Sequence, residues 1–382
     1  MRKKIYGFGF LMFVSFAAHA SLNTQAIPFL TDVGYSSSQR GIIMASHALV
    51  AMIGQFYVGY LADKHQTIKK LVIYATITLI GFSMITYLYD AENFLLHLFL
   101  MSNTLALVRM VGNLLETWLV EVDGLYPYFG TVRSFASLGW AVASLVAGQV
   151  VLRYGYASLM WVSVVMNLLV VLASIYLEDA NKVSEESISF TDIKLLFKNK
   201  QYVILILAYT TTWIVYNADN VSVTDYILSI GGTEGDVGIK WFVQALSELP
   251  LMFFSGYFLR KLKGKRMMIY GSIFLGLRFF LYAVYPSLNA VYIVSLLQMI
   301  SFPFLLVSQK ELFLIESPVY LRSSGQMVSV AFSGGLAAII SPVIAGYLGE
   351  LLPIRSIVMG LGIFMVVPII IILFYKPSSN IT

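Results

Sequence analysis

The sequence predicts an all-α integral membrane protein with twelve transmembrane helices in two pseudo-symmetric six-helix bundles. Three observations lead to this prediction. Hydrophobic residues make up 58% of the chain and charged residues only 12%, whereas soluble domains carry roughly 25% charge. The apolar runs are continuous and about 20 residues long, which is the length of a membrane-spanning helix. A pattern in the first half of the chain also recurs in the second half.

Lipid solvation leaves two possible architectures, because every spanning segment must satisfy its own backbone hydrogen bonds as a helix or in a closed barrel. Continuous apolar runs favour helices over the ten-residue alternation of barrel strands. We therefore assign twelve approximate spans: 5–29, 40–62, 70–88, 93–118, 131–151, 157–177, 201–228, 237–258, 267–285, 290–313, 323–349 and 354–375.

The longest polar stretch divides the chain into two bundles, 1–177 and 201–382. Residues 178–200 have mixed charge and no glycine or proline cluster, so we predict a cytoplasmic linker with a short amphipathic helix. The first span imitates a secretory signal peptide, with Arg2-Lys3-Lys4 before an apolar run and Ala18-His19-Ala20 after it. Its removal would break the six-plus-six arrangement, so we predict that it stays as the first helix.

The basic residues predict the orientation, because loops on the cytoplasmic side collect Lys and Arg. With the N-terminus inside, seventeen basic residues fall on the cytoplasmic side and three, Arg40, Arg153 and Arg355, fall outside. Both termini are therefore expected in the cytoplasm of a multi-pass protein of the cell membrane. The net charge of +5 is then a signal of topology, and it implies no nucleic-acid partner.

An internal repeat links the two halves. An offset of about 197 positions superimposes four pairs of residues: Gly41 and Gly238, Gly59 and Gly256, Lys64 and Lys261, Lys69 and Arg266. Two repeats of equal orientation are typical of transporters whose binding site lies near the membrane midplane, between the repeats.

Charges inside or at the ends of the spans are the candidates for function, because a charge in the bilayer is costly unless it is paired or hydrated. We expect Lys240 and Asp225 at the outer surface and the others within spans. The set is Arg109, Glu116, Arg133, Asp219, Asp225, Lys240, Glu248, Arg278, Lys310 and Glu311.

The loop Gly59-x-Leu61-Ala62-Asp63-Lys64 resembles the signature of the major facilitator superfamily, although Gln66 stands where that pattern usually has glycine. The resemblance implies a gating role for Asp63, whose carboxylate would meet the N-terminal end of the eleventh helix. Arg322, at the start of that helix, is a second gating candidate.

A narrower resemblance covers almost the whole chain. Phe129-Gly130-x-x-Arg133, Leu138-Gly139-Trp140-Ala141, Ser247-Glu248-Leu249, Arg278 and Pro303-Phe304-Leu305-Leu306-Val307 are similar to segments of the lactose, nucleoside and phenylpropionate permeases.

This resemblance implies that Arg133 and Glu116 bind sugar-like hydroxyls and that Trp140 stacks on a ring. Arg133 and Trp140 are seven residues apart and thus share a helix face. The alternative is a structural Arg133–Glu116 pair with Trp140 in the core or facing lipid. Further candidates for substrate binding are Tyr216, Asn220, Arg278 and Gln298.

The chain departs from lactose permease at its charge pairs. In lactose permease, two aspartates of the seventh helix pair with lysines of the tenth and eleventh helices. The corresponding positions here are Asn217, Asn220, Ser295 and, approximately, Gly334. The histidine and glutamate that serve proton coupling in the tenth helix of that permease are replaced here by Gln298 and Ser301. Glu248 is therefore our first candidate for proton coupling and Asp219 the second. We expect Arg278 to lie beside Glu248, and the alternative is a static ion pair between them.

The sequence therefore predicts a transporter and not an enzyme. With no cysteine and four histidines without ligand spacing, it indicates no metal or cofactor. The expected partners are a small-molecule substrate, protons and the lipid bilayer, and the expected functional form is a monomer. The predicted activity is proton symport of a sugar-, nucleoside- or aromatic-acid-like solute. The alternatives are an uncoupled facilitator, a proton-antiport exporter and a non-transporting receptor, which would need a soluble domain.

Overall fold

A computed structural model describes residues 1–125, 128–180, 190–318 and 321–377, and all regular secondary structure within these residues is helical. The first part of the chain forms eight helices: α1 (Arg2–Asn23), α2 (Ala26–Asp32), α3 (Ser37–His65), α4 (Lys69–Leu88), α5 (Phe94–Glu121), α6 (Phe129–Tyr154), α7 (Ser158–Tyr176) and α8 (Phe190–Lys198).

The second part forms ten helices and two π-helical segments. The helices are α9 (Lys200–Ala218), α10 (Thr224–Ser229), α11 (Glu234–Phe253), α12 (Ser255–Val284), α13 (Leu288–Ser295), α14 (Gln298–Glu316), α15 (Arg322–Ser329), α16 (Leu336–Leu351), α17 (Ile354–Phe364) and α18 (Val366–Leu373). The π-helical segments are Asp219–Val223, between α9 and α10, and Val330–Gly335, between α15 and α16.

Side-chain caps begin several of these helices. Ser36 forms a capping box with Gln39 at the start of α3. Asn93, Asn199 and Ser287 accept hydrogen bonds from backbone N–H groups of the first turns of α5, α9 and α13. Each cap satisfies a donor that has no partner within its own helix.

The predicted all-helical membrane fold is confirmed. Ten of the helical stretches are long and apolar enough to cross a membrane, judged over the described residues. The seventh and eighth predicted spans, which contain α9 and α11, fall outside that set. Threonines and tyrosines lower the hydropathy of α9, and α11 carries Glu234, Asp236, Lys240 and Glu248.

The described chain separates into two compact units. The first consists of Met1–Ser184 with Ile227–Leu246, and the second of Glu185–Tyr226 with Ser247–Thr382. The N-terminal part of α11 therefore packs in the first unit, although it lies in the second half of the sequence. The division at residues 178–200 remains a prediction.

In the first unit, α1 is a core helix that packs mainly on α6 and α7. Leu11 and Met12 are fully buried, and the Phe8 ring meets the Trp118 indole edge to face at 5.3 Å. A Cβ on Gly139 of α6 would lie 2.2 Å from the carbonyl oxygen of Phe13. Glycine therefore allows direct backbone contact, as is common between membrane helices.

In the second unit, α12 packs on α14 and α17. A Cβ on Gly276 would lie 3.0 Å from the carbonyl oxygen of Gly362, and a Cβ on Gly362 would lie 2.9 Å from that of Gly276. These paired glycines bring α12 and α17 together in the same way.

The repeat predicted from the sequence is visible in local geometry. The Lys64 ammonium lies 5.9 Å from the Tyr60 ring centroid, and Lys261 lies at the same distance from Tyr257. Gln66 and Lys263, 197 positions apart, have φ of +50° and +61° and are the non-glycine residues with positive φ in the described chain. Lys263 marks a kink inside α12 that separates the predicted eighth and ninth helices.

The helix ends are also equivalent. Lys69 Nζ donates to the carbonyl oxygens of Ile175 and Leu177 at the end of α7. Lys265 Nζ donates to those of Leu373 and Tyr375 at the end of α18. A lysine therefore caps the last helix of each half and offsets its negative dipole end.

Candidate functional site

The pair of Arg133 and Glu116 lies on facing helices of the first unit. Arg133 Nε on α6 donates to Glu116 Oε1 on α5 at 2.6 Å. The two side chains are 33% and 37% exposed, and the guanidinium lies 4.7 Å from the Phe16 ring centroid. The geometry presents a donor and an acceptor side by side above an aromatic ring.

Trp140 lies two turns further along α6. Its neighbour Gly139 makes the backbone contact with α1, which sets the rotation of α6 and with it the direction of Trp140. The ring centroids of Trp140 and Trp241 are 6.4 Å apart with an interplanar angle of 72°. Trp140 is half-buried, so part of the indole remains exposed.

The second unit contains a polar network around Arg278. Arg278 is fully buried and donates through Nη2 to Asp219 Oδ2 at 3.2 Å and through Nη1 to Gln298 Oε1. Gln298 Nε2 donates to the Tyr216 hydroxyl at 3.1 Å and to Glu248 Oε2 at 3.5 Å. One amide thus connects the ion pair with the second carboxylate.

Asp219 lies where α9 gives way to a π-helical segment. It is the first residue of that segment, and the wider turn shifts the register of the helix that follows. Segments of this kind interrupt α-helices mostly as single turns and often occur at functional sites. Asn220 follows it and is half-buried, as is Tyr216, whose ring stacks on Phe302 at 5.3 Å.

One expectation requires correction. Lys240 is expected at the outer surface, yet it is fully buried with Nζ 3.5 Å from the Trp241 ring centroid. Arg278 is linked to Glu248 through Gln298, and it also forms an ion pair with Asp219. The sequence did not single out Phe16 or Trp241, although a lysine next to a tryptophan near the end of a predicted span is a usable signal.

The gating prediction falls partly outside the described part of the chain, because the side chains of Asp63 and Arg322 are not described. The backbone nearby is informative. Gln66, in the position where the signature has glycine, adopts the left-handed conformation, which glycine reaches without a steric penalty. Within the described residues, no group of three or more His, Cys, Asp or Glu could hold a metal ion.

Comparison with known proteins gives the family. The description "MFS_1 like family" matches residues 7–351. The chain therefore belongs to the MFS_1-like family of the major facilitator superfamily. Its named relatives in this superfamily are membrane permeases and not enzymes.

Individual relatives are distant but cover nearly the full length. The raffinose permease of Escherichia coli is 23% identical over 97% of this chain and 92% of its own. An uncharacterized transporter of Bacillus subtilis, YwbF, is also 23% identical, over 94% of this chain and 90% of its own. The crystal structure of a mutant of the nucleoside transporter NupG aligns with a TM-score of 0.83 at 16% identity, covering 97% of this chain and 98% of its own. At that identity the structural likeness shows the fold alone.

Proposed function

We propose that this transporter moves a small, uncharged, ring-bearing solute through the cell membrane by alternating access and in symport with protons. Solute transport follows from the family, and the sugar and nucleoside in the names of its relatives are neutral rings. The uncharged character of the solute is supported by how the two site arginines are paired.

Both arginines of the predicted site already have a carboxylate partner. Arg133 is held by Glu116 and Arg278 by Asp219. An anionic solute at either arginine would lie beside a carboxylate of the same charge and be repelled by it. A hydroxyl group, by contrast, both donates and accepts hydrogen bonds, so it can bind the guanidinium and the carboxylate of the Arg133–Glu116 pair together. This favours sugars and nucleosides over aromatic acids.

The partial exposure of the Arg133–Glu116 pair supports a binding role for it. About one third of each side chain is accessible, so a ligand can reach both without disrupting a buried charge pair. Trp140, on the same helix face, supplies a large flat apolar surface for the ring of the solute. The Arg278 network is buried and is better suited to a change of protonation state than to ligand contact.

A matched set of ligands tests the charge prediction. Purified protein is heated with raffinose or uridine and, in parallel, with galacturonate or uridine monophosphate. We expect a rise in melting temperature with at least one neutral compound and none with the anions. Stabilisation by the anions alone would overturn the proposal of an uncharged solute.

Glu248 is the proposed proton carrier. Its carboxylate meets the amide of Gln298 and, through it, the Arg278–Asp219 pair. Loss of its charge would therefore redistribute the hydrogen bonds of the whole network. Glutamine keeps the shape of the side chain and removes only its titration.

Liposome transport tests this assignment. In Glu248→Gln we expect accumulation driven by an imposed pH gradient to vanish, while exchange of labelled for unlabelled solute continues, because exchange requires no net proton transfer. Accumulation that survives in this variant would move the role to Asp219. If the wild-type protein never accumulates solute, it is an uncoupled facilitator. The presence of Gln298 and Ser301 in place of the proton-coupling residues of the tenth helix favours that alternative.

A further inference from the structure

Helices α6 and α11 pack antiparallel in the first unit with very small residues between them. A Cβ on Gly148 would lie 2.5 Å from the carbonyl oxygen of Glu234, and one on Gly238 would lie 2.5 Å from that of Ser144. Small residues at these positions let the two backbones touch. The space between the helices is closed here.

One turn further along, two tryptophans separate the same helices. Trp140 lies four residues before Ser144 on α6, and Trp241 lies three residues after Gly238 on α11. Their rings meet edge to face, with centroids 6.4 Å apart and an angle of 72°. The tryptophan pair is therefore the end wall of any space that opens beyond the glycine contact.

Lys240 fixes the orientation of the Trp241 ring. Its Nζ lies 3.5 Å from the centroid of the indole, and its side chain is fully buried. A cation over one face of an indole is attracted by the negative potential of the ring. With that face occupied, Trp241 has its edge and its remaining face for further contacts.

The edge of Trp241 carries a donor without an acceptor. Its Nε1–H is buried and makes no hydrogen bond within the described part of the chain. Indole nitrogen can only donate, and buried tryptophans usually have a partner for it. An unpaired donor of this kind is unfavourable until a bound molecule supplies an acceptor.

We propose that Trp241 is a second ligand-contacting residue, which donates its indole N–H to a hydroxyl or ring oxygen of a neutral solute stacked on Trp140. This inference rests on the proposed function and extends it to a residue outside the matched permease motifs. The two indoles form a corner in which one ring offers a face and the other an edge. That corner selects a flat ring with an oxygen acceptor at its rim.

The test separates the donor from the bulk of the ring. Trp241→Phe keeps an aromatic ring and removes the N–H, whereas Trp241→His is smaller but keeps a ring N–H. Binding of raffinose and uridine is measured by isothermal titration calorimetry on purified protein. We expect Trp241→Phe to bind about three- to tenfold more weakly, the range for one lost hydrogen bond, and Trp241→His to retain more affinity than Trp241→Phe.

Trp161→Phe is the matched control, because Trp161 is 64% exposed and lies on α7, which is neither of the two helices that carry the pair. It should bind like the wild type. If packing alone mattered, Trp241→Phe would bind better than Trp241→His, because its ring is larger, and the donor assignment would be overturned. Unchanged affinity in Trp241→Phe with lost affinity in Arg133→Lys would reject this inference and leave the proposed function standing. If the wild type and Arg133→Lys bind raffinose and uridine with equal affinity, or if neither protein binds either compound, both this inference and the proposed function are rejected.

Discussion

The two arginine–carboxylate pairs show how one chemistry serves two purposes at different depths of burial. Arg133 and Glu116 in the first unit are about one third exposed, at 33% and 37%. Arg278 and Asp219 in the second unit are 0% and 3% exposed. A partly hydrated pair loses little when a ligand replaces one contact. Removing one partner of a buried pair is strongly destabilising, because the remaining charge is neither paired nor hydrated.

The local helix geometry matches this difference. Around Arg133, α6 runs without interruption and is positioned by the backbone contact of Gly139 with α1. At Asp219, the α-helix gives way to a π-helical segment, and the carboxylate lies beside Arg278. The first arrangement leaves its side chains partly exposed, and the second keeps them within the protein.

The largest expected effect comes from breaking the buried pair. Arg278→Met leaves the Asp219 carboxylate buried without its cation, which typically costs about 3–5 kcal/mol. Glu116→Gln in the exposed pair should cost less than about 1 kcal/mol. Thermal melting of both variants measures the difference, and the double variant Asp219→Asn with Arg278→Gln should recover part of the loss. Equal destabilisation by Arg278→Met and Glu116→Gln would show that burial does not distinguish the pairs.

The second effect concerns ligand affinity. Arg133→Lys should weaken binding of the neutral solute about tenfold or more, because a point charge cannot reproduce the planar fork of guanidinium and hydrogen bonds to charged groups are worth about 1.5–3 kcal/mol. Trp140→Tyr should bind better than Trp140→Ala, since a smaller ring still stacks. Calorimetry with raffinose and uridine checks both. Full affinity in Arg133→Lys and Trp140→Ala would mean that this face of α6 does not bind the solute.

A third effect concerns the contact between Asp179, just after α7, and the start of α4. Burial raises the pKa of Asp179, but hydrogen bonds from the Thr67 hydroxyl and from the backbone N–H groups of Lys69, Ala180 and Ile68 outweigh it and hold the pKa below its usual value. These bonds cap the start of α4, and loss of a cap typically costs about 1 kcal/mol.

Asp179→Asn should therefore lower the melting temperature at neutral pH. Because the folded-state pKa is depressed, the contribution of the carboxylate is complete above its unfolded pKa of about 4 and disappears as the pH falls through the folded pKa. Melting curves from pH 7 downward should show wild type and Asp179→Asn converging in acid. A difference that grows in acid would contradict the capping role. The second unit closes the equivalent end with Lys265 and backbone carbonyls.

The smallest effect compares the two equivalent turns at Gln66 and Lys263. Gln66 and Lys263 both adopt positive φ, which costs an L-residue about 1–2 kcal/mol that glycine does not lose, offset partly by the greater entropy of glycine when unfolded. Gln66→Gly and Lys263→Gly should each stabilise the protein by up to about 1 kcal/mol, while Gln66→Ala should not. Thermal melting of the three variants suffices. If only one of the two glycine variants is more stable than the wild type, the two repeats are equivalent in sequence but not in the energetics of this turn.

Much of the candidate site could be read from the sequence where the argument was local. Arg133 and Trp140 share a face because they are two helical turns apart, and the resemblance to permeases supplied Glu116 as the partner that the structure has at 2.6 Å. The partner of Arg278 could not be read in this way. Asp219 lies 59 positions away in the chain, and a contact between two helices depends on how they pack, which the spacing within either helix does not give.

The sequence by itself determined the class of the protein, its all-helical membrane fold, the repeat and the face of α6 that carries Arg133 and Trp140. These features depend on hydropathy and on spacing within one helix, which are local quantities. Only the tertiary structure decided that Arg278 pairs with Asp219, that Lys240 is buried against Trp241 and that Trp241 faces Trp140. Those contacts depend on how close two helices come and on how each is rotated. Glycines in direct backbone contact and a π-helical segment set both quantities here, and neither leaves a periodic trace in the sequence.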